Sequence, residues 1–363
     1  MSSPRFTDRR HDRREHESRI NASLPQYTTD IDIDTFGTLN VHFVHQKSDV
    51  VNAIPLLFSH GWPGHFLEVS KILPELVKGN KDAPAFHVVA PSLPNYGFSA
   101  GVTKKGFSMK YYAEVCHKLM LKLGYPQYVT QGGDWGYAVT RYMGMQYPEA
   151  CRASHINMYP VMPSFKNPIV AGKFYAQYFV TGMSKDLKEG LDQSMWFQKE
   201  GRGYFLEQAT KPQTIGYSQA DSPVGLLAWI YEKLHDWTDA YPWTDDEVLT
   251  WVSIYAFSRA GPAAPSRTYY EAYHNGDLKG ASAWNPKTKL GASRFPKEIA
   301  PFPTEWAHTL GPLVFQGEHE KGGHFAAYEN PTAIINDVRT MYGKKGGAAN
   351  AVEGKSGYDT ARL

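Results

Sequence analysis

Five residues, Gly132-Gly133-Asp134-Trp135-Gly136, restrict what this chain can fold into more than any other segment. A short apolar run, Tyr128-Val129-Thr130, leads into them, and a helical pattern from Tyr137 to Gln146 follows. Small residues at 132, 133 and 136 let the backbone turn sharply between a strand and a helix and let the two pack closely. That strand–turn–helix frame presents its central side chain at the end of a parallel sheet. A Gly-rich turn ending in Asp is also a common helix N-cap, so the segment alone leaves function open.

The surrounding pattern agrees with a layered α/β fold. Leu39–His45 alternates like a half-buried strand, whereas Ile54–Phe58, Phe86–Ala90, Tyr128–Thr130 and Ala153–Met158 are the runs expected of buried parallel strands. Helical patterns such as Tyr111–Leu123 lie between them. Strand–helix alternation predicts a mostly parallel, doubly wound sheet. From 159 to 269 the chain is rich in Trp, Tyr, Gly and Pro and reads as short helices, a cap inserted over the sheet. The α/β core then spans 21–158 and 270–342, with Gly311–Phe315 as a late strand. Residues 1–20 read as a solvated arm, helical at most, and the Gly/Lys-rich tail 343–363 is expected to be disordered.

Several sites carry chemistry. A serine at the centre of such an elbow makes acyl-enzymes. Asp134 is instead a poor acyl-transfer nucleophile, but a carboxylate can open an electrophilic sp³ carbon to give an ester. Gly97-Phe98-Ser99-Ala100-Gly101 matches the serine motif letter for letter, yet it lies in a loop with no strand running into it, so Ser99 is set aside. His60-Gly61-Trp62-Pro63-Gly64 follows the strand Ile54–Ser59 and reads as an oxyanion loop, with backbone N–H donors from Trp62 and Trp135. Pro63 could be cis. Lys321-Gly322-Gly323-His324-Phe325 places a histidine in a late Gly-flanked loop, and His319 is a weaker competitor. Glu298 could orient His324, with Asp277 and Glu305 as alternatives. Tyr204 and Tyr269 could donate to a departing oxygen, and Tyr270 competes with Tyr269.

Taken together, these motifs resemble the microsomal-type epoxide hydrolases, members of the α/β-hydrolase superfamily. The likeness also covers Gly322–Ala327, Thr210-Lys211-Pro212 and Asp221–Leu226, and runs from about Ile20 to Tyr342. It implies an α/β-hydrolase fold with a helical cap inserted after the sixth strand. It further implies Asp134 as nucleophile, His324 as general base, Glu298 as its charge partner, and Tyr204 and Tyr269 as epoxide-oxygen proton donors. The family's N-terminal meander looks shortened here, which bears on cap positioning and on a homodimer rather than on the chemistry. A haloalkane or haloacid dehalogenase with the same Asp nucleophile, and a non-catalytic ligand-binding domain of this fold, are the alternatives.

Composition excludes other classes. A net charge of +2 implies no nucleic-acid partner, and no apolar run approaches the roughly 18 residues of a membrane anchor. Two cysteines, Cys116 and Cys151, give no disulfide framework and suggest a reducing, cytoplasmic setting. The terminal Ala361-Arg362-Leu363 is a conservative variant of a peroxisomal address. The aromatic content of 14% suits a pocket for a small apolar epoxide, and the mechanism calls for no metal or organic cofactor. Detoxification and a dedicated biosynthetic step are equally open.

Overall fold

The computed structural model describes residues 8–163 and 167–359. An antiparallel pair, β1 (Gln26–Ile33) and β2 (Gly37–Gln46), opens a single eight-stranded sheet. The strands β3 (Ile54–Ser59), β4 (Phe86–Pro91), β5 (Tyr128–Gly132), β6 (Cys151–Ile156), β7 (Lys289–Arg294) and β8 (Leu313–Glu318) run parallel to one another. Their order is β1-β2-β4-β3-β5-β6-β7-β8. The expected α/β-hydrolase fold is therefore present, with helices Met109–Lys122, Trp135–Gln146 and Pro331–Tyr342 covering the sheet.

Side-chain alternation along the central strands builds two cores. Leu57 and Val89 join one that includes the elbow helix and the cap; Leu56, Phe58, Val88 and Ala90 join the other, with helices Leu73–Lys78 and Pro331–Tyr342. Strand β3 is flanked by β4 on one side and β5 on the other, so the winding reverses there. Ligand crevices form beyond the carboxyl ends of strands at such a point. The register pairs Ser59 with Gly132, which sets the two loops that follow β3 and β5 side by side.

The cap is inserted after β6, as expected. Its helices run from Pro168–Ala176 to Asp277–Ala281 before β7 resumes the sheet. Helix Ser266–Asn275 continues through 269, where the sequence suggested that the cap ends. Two strands escaped sequence reading. In β1 only Ile31 and Ile33 are buried among polar residues, and β7 is Lys-Leu-Gly-Ala-Ser-Arg, with no apolar run. The small residues of β7 are required by its neighbours: a Cβ on Gly291 would overlap the Met341 sulfur.

Both chain ends depart from expectation. The arm forms a helix, Asp8–Ser23, whose His16 Nε2 meets Thr250 Oγ1 on the cap at 2.7 Å. Ile20 packs against the second core. The tail, expected to be disordered, is packed as far as Tyr358. Ala348 and Val352 are buried, and Gly357 exchanges backbone bonds with Ala85 (2.8 Å) and Asn52 (2.7 Å). These are small side chains and backbone groups, which composition underweights. The C-terminal tripeptide lies outside the described residues. Deleting 344–363 is expected to lower Tm by several degrees in a thermal melt, because buried apolar surface and paired backbone groups are uncovered together. An unchanged Tm would show that the tail contributes nothing to the fold.

Candidate active site

The elbow holds Asp134 at φ +50°, ψ −127°, outside the ordinary regions for a non-glycine residue. Such a conformation costs on the order of 1–3 kcal/mol and persists only where surrounding packing imposes it. Here the packing is tight. A Cβ on Gly136 would overlap the Ser59 carbonyl, and one on Gly61 would overlap the Asp134 carboxyl. The strained turn aims the carboxylate across the crevice at the loop after β3. Asp134 Oδ1 accepts the Trp62 backbone N–H at 2.7 Å, and the Trp135 backbone N–H also bonds this carboxylate. Trp62–Pro63 is cis.

The loops after β7 and β8 meet through one parallel bridge, Lys297 with Gly323, and Lys297 N–H donates to Gly322 O at 3.1 Å. That contact places the next residue of each loop, Glu298 and His324, face to face. His324 Nδ1 lies 2.6 Å from Glu298 Oε1, and His324 Nε2 lies 3.6 Å from Asp134 Oδ2. Glu298 Oε1 also accepts the Ile299 N–H at 2.7 Å. All three side chains are largely enclosed, Glu298 and His324 almost completely and Asp134 a little less.

Other candidates point elsewhere. Asp277 accepts the Met109 N–H at 2.8 Å, at the start of helix Met109–Lys122, and Glu305 pairs with Lys173 at the surface. His319 is bonded to Asp337 at 2.6 Å. Ser99 Oγ donates to Ser92 O at 2.6 Å and accepts the His42 N–H at 2.9 Å, which makes it a loop fastener.

Burial and charge set the protonation states. Burial opposes ionisation of Asp134 and raises its pKa, although His324 and the N–H groups of Trp62 and Trp135 work against it. Burial also disfavours charge on His324, but Glu298 on Nδ1 and the Asp134 carboxylate outweigh it and raise the imidazole to about 9. The two flanking carboxyl groups thus favour the imidazolium form of His324 at neutral pH.

The cap closes this site with aromatic rings. Tyr204 stacks on Trp62 (5.0 Å, 12°), while Tyr269 stands edge-on to Trp62 and to Trp135. Burial raises both phenols well above 10. Tyr270 turns outward and packs on His274.

Two residues near the chemistry were missed in the sequence. The Trp237 carbonyl accepts the His324 N–H at 2.8 Å, and its ring packs on His324, Trp62 and Tyr204. Nothing in the local sequence marks it. Glu68 lies on the short helix Phe66–Lys71 and lines a small cavity with Asp134 and His324. Its spacing of three from the N-cap residue His65 was the available signal.

Among the described residues there is no helix long and apolar enough to cross a membrane, and no cluster of three or more His, Cys, Asp or Glu that could hold a metal.

Comparison with known proteins agrees with this architecture. The family description "Epoxide hydrolase N terminus" matches residues 5–69, and "alpha/beta hydrolase fold" matches 54–194. The first match begins well before Ile20, so the family likeness reaches further toward the N-terminus than the motifs alone indicate. Epoxide hydrolase 1 of Sus scrofa is 32% identical over 328 residues, covering 84% of this chain and 72% of that protein. The structure of Aspergillus niger epoxide hydrolase is similar with a TM-score of 0.75 and 35% identity, over 90% of this chain and 79% of that one. The juvenile hormone epoxide hydrolase of the silkworm Bombyx mori gives a TM-score of 0.78 at 30% identity, over 89% and 79%. These likenesses decide between epoxide opening and the dehalogenase and binding-domain alternatives: the chain belongs to the microsomal-type epoxide hydrolase family and is an epoxide hydrolase.

Proposed function

We propose that this enzyme opens its epoxide through a covalent ester on Asp134, and that His324, oriented by Glu298, hydrolyses that ester. The observation that carries the reading is the division of labour between the two Asp134 oxygens. Oδ1 already sits against the Trp62 N–H, where an ester carbonyl and then an oxyanion would lie. Oδ2 faces His324 Nε2 at 3.6 Å and is the oxygen free to attack carbon.

In the first step Oδ2 attacks one epoxide carbon and the ring C–O bond breaks. The released oxygen takes a proton from Tyr204 or Tyr269. Alkylation cancels the Asp134 charge, one of the causes that hold His324 protonated. The imidazolium can then pass its proton to the tyrosinate, which restores the phenol and leaves a neutral imidazole. In the second step His324 removes a proton from water as the water oxygen bonds to the ester carbon. The N–H groups of Trp62 and Trp135 hold the resulting oxyanion. Collapse breaks the carbon–alkoxide bond, and the imidazolium protonates the departing diol.

The walls of the site favour a small apolar epoxide. Trp62, Tyr204, Phe205, Trp237 and Tyr269 form one contiguous aromatic cluster over Asp134. Aromatic faces of this kind reward apolar contact and leave the phenol hydroxyls as the polar anchors.

Three measurements test the reading. A single turnover in ¹⁸O-water is expected to yield unlabelled diol, because the incoming oxygen derives from Asp134; label in that first product would exclude the ester. Replacing both tyrosines (Tyr204→Phe with Tyr269→Phe) is expected to lower kcat/KM for styrene oxide by at least about 10²-fold, the usual worth of a general acid. Retained turnover would remove the phenols from the mechanism. The third concerns pH. His324 is raised from 6.5 to about 9 in the folded protein, so its protonation stabilises the fold below pH 6.5 and that stabilisation is lost as pH rises through about 9. Tm should therefore fall between those values, and fall less in Glu298→Gln, which lacks the main raising charge. Parallel pH profiles in the two proteins would show that the pair is not coupled to folding.

A further inference from the structure

The steps above make no use of Glu68, although it lies inside the site. This residue is 9% exposed and sits in the first turn of helix Phe66–Lys71, immediately after the oxyanion loop. One role is structural: the His65 backbone N–H bonds its carboxylate, as in a capping box. A cap alone, however, gives no reason to place the carboxyl among the reacting groups.

Three observations point to more. First, a Cβ on Gly64 would overlap Glu68 Oε1, so the side chain folds back over the oxyanion loop into space that only glycine leaves open. Second, that space is a cavity of about 20 Å³, lined by Glu68 with Asp134, His324, Gln131 and Ser59. One water needs about 10–15 Å³ on the same measure, so the cavity takes a single water. Third, its wall carries a buried hydroxyl, Ser59 Oγ, that has no hydrogen-bond partner among the described residues and can donate to a water. Buried groups of this kind are ordinarily satisfied, often by a bound water.

We infer that Glu68 holds the hydrolytic water of the second half-reaction in the cavity it shares with Asp134 and His324. The inference rests on the covalent reading proposed above. The water directs one O–H to His324 Nε2 and the other to the Glu68 carboxylate, which leaves a lone pair for the ester carbon of Asp134. On attack the first proton goes to His324, and the second stays on the oxygen that becomes part of the Asp134 carboxyl. Collapse releases the alkoxide, which takes the His324 proton, and the new carboxylic acid then returns its own proton to His324. The resting carboxylate–imidazolium pair is restored with one water consumed. Glu68 gains and loses no proton in this sequence. Burial raises its carboxyl to about 8, against the opposing influence of the His324 charge.

Rapid-quench mass spectrometry with styrene oxide separates the two half-reactions. In Glu68→Gln, the ester on Asp134 should form at close to the wild-type rate and break down about 10²-fold more slowly, so that it accumulates. The burst amplitude counts competent sites, which corrects for any misfolded fraction. Glu68→Asp should recover part of the breakdown rate. Ester breakdown at the wild-type rate in Glu68→Gln overturns the inference. An equal fall in formation and breakdown also overturns it, and assigns Glu68 to the helix cap alone. If wild-type enzyme makes diol with no ester on Asp134, the covalent reading itself fails and the Glu68 inference falls with it. The wild-type trace alone separates that outcome from the others.

Discussion

The active site depends on one close crossing, where the elbow helix passes the end of β3 with no side chain between them. Gly136 lies against the Ser59 carbonyl and Gly61 lies against the Asp134 carboxyl. Neither glycine is there for an unusual backbone angle, because neither has a positive φ. Both are there because a Cβ would not fit. The strain is instead carried by Asp134, at φ +50°. Pressing helix, strand end and loop together brings two backbone N–H groups from different parts of the chain onto one carboxylate. Moving either element outward by the width of a methyl group would lose that convergence, and with it the proposed oxyanion site.

The second constraint is electrostatic. An imidazole buried among carboxylates is tolerable only if their charges compensate. Removing one partner of a buried pair strands the other, which costs several kcal/mol, far more than an exposed pair is worth. Glu298 and Asp134 flank His324 on opposite ring nitrogens, and Glu68 brings a third carboxyl nearby. With one cation present, full ionisation of all three acids would leave a surplus of negative charge in a dry site. Burial is the main cause of the upward shifts of Asp134 and Glu68, and the neighbouring carboxyl charges add to it. In the proposed mechanism, converting Asp134 into a neutral ester relieves that surplus, so the first step would change the basicity of the groups needed for the second.

How much of this could be read from the sequence follows from how local each signal is. The elbow, the oxyanion loop and the histidine loop are each five-residue glycine patterns beside a strand, so chain-local sterics expose them. Glu298 has no such pattern. Its partnership with His324 is made by a bridge between two loops, Lys297 with Gly323, and only the sheet order brings those loops together. Tyr204 and Tyr269, two of 23 tyrosines, became distinguishable through family likeness rather than spacing. Trp237 acts through its carbonyl, which no side-chain pattern encodes. Strand β7 escapes a sequence reading, and the tail departs from the expected disorder, for a related reason. Both are packed through small residues, and periodicity arguments give weight only to large apolar ones.

The tyrosine pair shows why the cap has to be aromatic as well as closed. Burial raises both phenols well above 10 and so weakens them as acids. That would count against a proton donor if its acceptor were an ordinary base. An alkoxide is far more basic than a phenoxide, so transfer stays downhill after the shift. The same burial keeps both phenols neutral at working pH and strengthens any hydrogen bond they make, because water no longer competes. A wetter site would supply a stronger acid but a weaker hydrogen bond to the ring oxygen while the bond is still breaking. Tyr204 stacks on Trp62, whose own N–H holds Asp134, so in the proposed mechanism the donor for the leaving oxygen is tied to the loop that positions the nucleophile. On that mechanism the two ends of the breaking epoxide are referenced to a single residue, and a shift of the cap phenols would disturb the loop beneath them.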